Sequence, residues 1–157
     1  MVAMPLLAGA QTRFGYFSYN DVLTSMTDYQ LAKRSVDDLR LKYDAEMKRS
    51  EEEFNAKYEE FLEVQRDLVP SILRKRQAEL QEMMDKNVAF KKDAQQLLLQ
   101  AEADAYAPAR RKLGEAVARV GRERGYAFVL NTDGDACPYI NPEVGEDATE
   151  AIKAAIK

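Results

Sequence analysis

The chain has 157 residues, 23 Lys plus Arg against 27 Asp plus Glu, a formal net charge of -4, no histidine, no tryptophan and one cysteine, Cys137. This inventory excludes imidazole acid–base catalysis, Ser-His-Asp triads, histidine-containing metal sites and an intrachain disulfide. The negative balance argues against nucleic acid as a partner. With 32% charged residues and only seven glycines and five prolines, the composition points to long helices more than to a compact globule.

Residues 1–10 are apolar and uncharged, and they end in Ala8-Gly9-Ala10, a small-x-small pattern like that before a signal-peptidase cut. A basic n-region is missing. Residues 1–12 therefore read as an export-signal remnant, a cloning leftover or a loose leader. No other apolar run approaches the length of a membrane span. Phe14 to Tyr19 is short and aromatic-rich and predicts a strand. Asn20 or Asp21 caps a brief helix through Met26, and Thr27-Asp28 offers a second cap. From Tyr29 to Leu68 there is neither Gly nor Pro. Pro70 with Ser71 breaks the pattern, and the helical signal resumes from Ile72 to Arg124, interrupted by Pro108. Gly125 stands where a C-cap glycine belongs. Tyr126 to Asn131 predicts a strand, Thr132 to Asp135 a hairpin turn, Cys137 to Ile140 the partner strand and Pro142 to Gly145 a loop. Glu146 to Ile156 predicts a closing amphipathic helix.

In the outgoing helix, apolar or seam positions fall at Val36, Leu39, Tyr43, Met47, Ser50, Phe54, Tyr58, Phe61 and Gln65. The steps of three, four and four make an eleven-residue repeat, which predicts a straight or slightly right-handed stripe. The return helix shows Leu80, Met83, Asn87, Phe90, Ala94, Leu97 and Ala101, the alternating steps of ordinary heptads. Stripes of different period drift out of register, so a loosely packed, flexible pair of arms is expected. The single break at Val69 to Ser71 makes the helices antiparallel neighbours, the outgoing arm roughly 60 Å long at 1.5 Å per residue. Pro108 then mirrors Leu31, at the border of arm and body.

The expected fold is mainly α with a small β part. A helical hairpin arm occupies 28–108, with its tip near 69–71, and a β-containing oligomerisation body occupies 13–27 and 109–157. A two-helix arm buries only one stripe per helix, and the body is too small to stand alone. Oligomerisation through the strands, with Phe14, Tyr16, Phe128, Leu130 and Ile140 as the candidate surface, covers the open edges.

Chemistry-bearing motifs are few. Asp133-Gly134-Asp135 lacks the twelve-position ligand pattern of a calcium loop and reads as a turn. Cys137 has no histidine to activate it. Glu51-Glu52-Glu53 reads as a solvated helix face, and there is no Gly-rich phosphate loop. Neither an enzyme nor a cofactor or metal site is expected. What remains is a series of methionine and aromatic side chains on the arms. Met47, Phe54, Tyr58, Phe61, Met83, Met84 and Phe90 are candidates for contact with an unfolded client, against the simpler reading that they pack the two helices together. Residues 44–63 hold eight acidic and three basic side chains. Arg74-Lys75-Arg76 makes a basic patch near the tip, suited to acidic polypeptide or lipid headgroups or simply solvated.

The order of apolar leader, aromatic strand, charged helical hairpin, then Gly125-Tyr126-Ala127-Phe128-Val129-Leu130-Asn131, Tyr139-Ile140-Asn141-Pro142 and a terminal helix from Asp147-Ala148-Thr149-Glu150 resembles the OmpH/Skp family of periplasmic chaperones. The resemblance covers residues 13 to 157 in layout and the two ends in residue detail. It implies a periplasmic homotrimer whose helical arms enclose a cavity and hold unfolded outer-membrane proteins without ATP. The basic patch suits peripheral contact with an anionic membrane surface, and the acidic balance speaks against a nucleic-acid partner. The best-known members are strongly basic, whereas this chain is acidic, so capture here rests more on apolar contacts or local basic patches. No pattern for a lipopolysaccharide site can be placed. Two alternatives stay open: a prefoldin-like cytosolic chaperone subunit, whose strands lie between its helices, and a structural coiled-coil spacer.

Overall fold

The computed structural model describes residues 12–156, so the leader expected over 1–12 lies, apart from Thr12, outside the described residues. The protein is mainly helical with one small sheet. In chain order come β1 (Phe14–Phe17), α1 (Tyr19–Ser25), α2 (Thr27–Val64), α3 (Pro70–Arg124), β2 (Val129–Asn131), a 3-10 turn (Gly134–Ala136), β3 (Gly145–Asp147) and α4 (Thr149–Ile156). The chain forms two compact units. Leu31–Ala105 make one, and the described residues on either side make the other.

In the flanking unit, every strand pairs through β1. The sheet order is β2-β1-β3, and both pairings are parallel. This corrects the hairpin expected after residue 131. Residues 137–140 form no strand, because Pro138 has no N–H to give a ladder. The third strand is instead Gly145–Asp147, which the sequence presents as the end of a loop and the start of a helix. The Asn141 carbonyl accepts from the Gly145 amide at 2.9 Å, and the Asn141 side chain accepts from the Glu143 amide at 3.0 Å, which turns the chain into β3. A Cβ at Gly145 would lie 2.8 Å from both Phe14 and Ile140, so only glycine admits this approach.

One face of the sheet packs on helices. Phe17 joins Val22, Leu23 and Met26 of the α1 segment, Ala109, Leu113, Ala116 and Val120 of α3, and Ala148 and Ile152 at α4. The α3 residues recur at steps of four, three and four, a single helical stripe. Leu113, Ile152 and Val22 are fully buried, each contributing roughly 1.5–3 kcal/mol by burial.

The element ends follow local chemistry. Ser18 caps α1 by accepting from the Asp21 amide at 3.1 Å, so the strand stops two residues short of Tyr19. Gly125 has φ +66°, with Tyr126 N–H donating to the Gly121 carbonyl (2.9 Å) and Gly125 N–H to that of Arg122 (3.3 Å), a Schellman closure of α3. Asp147 accepts from the Thr149 amide at 2.9 Å and starts α4 three residues later than the apolar pattern implies. Pro108 does not interrupt the return helix but lies inside α3. The lost N–H removes one hydrogen bond, while Ala109 directly after it and Leu113 one turn further on are locked in the core.

Candidate functional site

The unit Leu31–Ala105 contains the long portions of α2 and α3, joined by Gln65–Val69, with Pro70 the first residue of α3. The helices run antiparallel. Arg76 pairs with Glu60 at 3.2 Å, Asn87 Nδ2 donates to the Ser50 carbonyl at 3.2 Å, and Arg40 pairs with Glu102. On α2, the counted stripe from Val36 to Gln65 faces α3: Val36 and Phe61 are buried and the others half-buried, except Tyr58. On α3, Leu80, Met83, Asn87, Phe90 and Ala94 face α2, but the next inward residue is Leu98, while Leu97 is 53% exposed. The return helix therefore takes a second step of four, as α2 does, and the expected mismatch of periods is absent here. Over 36–54 and 83–101 the two stripes share one sequence of steps, which keeps them in register on a straight or slightly right-handed course.

The client-contact candidates separate into three settings. Met47, Phe54, Met84 and Phe90 line one cleft of about 320 Å³, together with Ser50 and Asn87. The Phe90 ring lies 6.1 Å from Tyr43. Phe61 and Met83 border a narrower gap of about 50 Å³ towards the turn. Phe61 is buried, so in this conformation it packs the helices and offers no surface. Tyr58 stacks on Phe54 at 6.0 Å and is 44% exposed. Met84 is equally exposed, and Val88 and Leu99 follow it on the same flank of α3. The cleft arises because Ser50 and Asn87 occupy seam positions that an aliphatic side chain would fill. Both were visible as polar members of the counted stripes. Val88, Leu98 and Leu99 carry no such mark in the sequence, since three consecutive leucines do not reveal which one faces inward.

Of the basic patch, Arg74 is exposed, Lys75 pairs with Glu79 at 3.6 Å and Arg76 with Glu60. Val69 and Ile72 are exposed beside it. Elsewhere on the hairpin, charges neutralise one another along each helix. A hydrogen bond from Arg49 holds Glu46 below the ordinary glutamate range, and Lys86 does the same for Glu82. Such exposed pairs add little stability.

The body candidates share the second face of the sheet. Phe14 stacks on Phe128 with centroids 5.2 Å apart, and Tyr16 and Leu130 are register partners pointing to the same side. Ile140 meets this face beside Phe14 at Gly145. Phe128 is 49% exposed. At the other side of the sheet, Glu146 bonds Arg13 at 2.9 Å and pairs with Arg124. The buried Tyr126 hydroxyl and the two guanidiniums beside Glu146 hold its carboxyl below the usual range.

Among the described residues, no group of three or more Cys, Asp or Glu is placed to hold a metal. The Asp133 oxygens accept from Ser18 Oγ (2.5 Å) and the Asn20 amide (2.9 Å), which makes this residue a fastener of α1.

The model of the OmpH-like outer membrane protein family matches residues 13–156. A solved OmpH-like structure from Caulobacter crescentus CB15, assigned as a candidate outer membrane chaperone, superposes with a TM-score of 0.76 at 15% identity, covering 99% of this chain and 90% of that one. At that identity the likeness is one of fold. No curated protein sequence matches the chain.

Proposed function

The chain belongs to the OmpH-like outer membrane protein family, and from that premise we propose that it is a periplasmic chaperone that holds unfolded outer-membrane proteins without ATP. In this reading three copies associate through the second face of the sheet, where Phe14, Tyr16, Phe128, Leu130 and Ile140 converge. Their hairpins bound a cavity in which the client is kept from aggregating.

The observation that carries the proposal is the incompletely closed apolar flank of the hairpin. Tyr58, Met84, Val88 and Leu99 stay exposed beside a seam that leaves Met47, Phe54 and Phe90 half-buried. Methionine and aromatic side chains adapt to varied partners, as a client without fixed structure requires. Among the described residues no helix is long and apolar enough to cross a membrane. Peripheral contact with an anionic bilayer belongs to the same proposal, through Arg74 and the exposed Val69 and Ile72. The prefoldin-like alternative places strands between its helices, whereas all three strands here precede α1 or follow α3.

The test is aggregation of a denatured outer-membrane β-barrel on dilution, followed by light scattering with and without the protein. Suppression at several-fold excess, without nucleotide, is expected. Unchanged scattering at that excess refutes the proposal.

A further inference from the structure

We infer that the cleft at Ser50 and Asn87 is a receptor for a single aromatic side chain, tyrosine or tryptophan, of the unfolded client. The inference rests on the holdase reading above and names what the arm grips.

Four features point to that occupant. First, the cleft is built into two continuous helices. Ser50 and Asn87 hold seam positions without filling them, and the Asn87 amide is tied to the Ser50 carbonyl at 3.2 Å, so it does not swing in to close the space. Second, the walls combine the thioethers of Met47 and Met84 with the rings of Phe54 and Phe90. Sulfur against a ring edge and ring against ring are contacts that an aromatic guest satisfies better than an aliphatic one. Third, about 320 Å³ is enough for one indole or phenol ring with its adjoining main chain, at the lower end of the range for small-ligand pockets. Fourth, the rim carries Glu51 and Lys91, one charge of each sign, and among the described residues neither has an ion-pair or hydrogen-bond partner. A rim summing to zero offers no excess of cations to a carboxylate or phosphate headgroup. It complements an uncharged ring whose O–H or N–H can donate to the Glu51 carboxylate.

The chain contains no tryptophan, so the emission of a tryptophan peptide reports on the ligand alone. The full chain is titrated into a capped, uncharged Gly/Ser peptide bearing one tryptophan, with the leucine counterpart as competitor. A saturable blue shift is expected, which the leucine peptide at equal concentration does not reverse. Ser50→Leu and Asn87→Leu should each weaken binding by about tenfold or more while the thermal midpoint holds or rises, because leucine completes the seam. Leu97→Ala, outside the cleft, should leave the affinity unchanged. On the wild-type chain, a benzophenone-bearing peptide should label Met47 or Met84. A shift that does not saturate, equal competition by leucine, undiminished binding in both filled variants, or labelling confined to other sites each overturns the inference. The barrel-aggregation assay is run alongside. A wild type that suppresses aggregation yet gives any of those results keeps the holdase reading and loses the cleft. One that binds the peptide in the cleft without suppressing aggregation does the reverse.

Discussion

Asp133 is a loop residue by sequence and a structural tie by position. The Ser18 hydroxyl bond first, and the Asn20 amide after it, hold its carboxyl below the ordinary value of 3.8. Asn131 adds to the same junction by accepting from the Tyr19 amide at 3.1 Å and the Asp133 amide at 3.1 Å. A depressed carboxylate contributes stability that is fully present above its unfolded pKa and is lost as pH falls through its folded one. Asp133→Asn should therefore lower the urea midpoint near pH 7, and the gap from wild type should narrow as pH drops below about 3.8. A gap that persists unchanged in acid would show that the charge contributes nothing. Gly15 is a second such residue. A Cβ there would lie 2.7 Å from the Tyr126 ring, so its absence lets β1 approach the end of α3. Neither role was legible in the sequence, since both depend on partners more than a hundred residues away.

At the scale of elements, the long helices were the most legible feature. Thirty-eight residues of α2 and fifty-five of α3 carry the apolar stripe at helical spacing with few breaks. What the stripe did not reveal was which of Leu97, Leu98 and Leu99 turns inward. The structure selects Leu98, the residue that keeps α3 in step with α2. Leu98→Ser should thus cost on the order of 1–3 kcal/mol and Leu97→Ser within about 0.5 kcal/mol, read from thermal or denaturant unfolding. Equal losses would mean that the seam does not run through Leu98. The strands were the least legible elements. β3 is Gly-Glu-Asp, with no alternation of apolar and polar residues to mark it. Its identity comes from the Asn141 turn that feeds it and from β1, which supplies the hydrogen bonds. Cys137 to Ile140, with its apolar character, looked the better strand and lacks the donor that Pro138 would have needed to provide.

For the whole molecule, the decisive surface is the second face of the sheet. Phe14 and Phe128 stack there, with Phe128 about half exposed and both outer strands lacking a neighbour among the described residues. If that face joins copies in the proposed trimer, Phe128→Glu should shift the mass in solution from trimer to monomer, measured by light scattering after size exclusion, with helical content retained. A wild-type monomer, or a variant of unchanged mass, would remove the face from the assembly. The net charge of -4 bears on the same scale. With Arg76 and Lys75 paired to Glu60 and Glu79, the basic patch is partly neutralised, and the apolar flank of the hairpin is left as the stronger basis for the proposed client capture.

The sequence by itself determined the helices, a single break between them near Pro70, the Gly125 stop and the family, because these depend on neighbours within a few residues or on a periodicity that composition preserves; that the turn lies at 65–69, with Pro70 already in the first turn of α3, came from the structure. The tertiary structure alone decided the parallel sheet order, the placement of β3, the clasp of Asp133 on α1, the inward turn of Leu98 and the cleft at Ser50 and Asn87. Each of those depends on which distant group lies opposite, and a polar residue in an apolar stripe reads as a flaw until the facing helix shows that it opens a space.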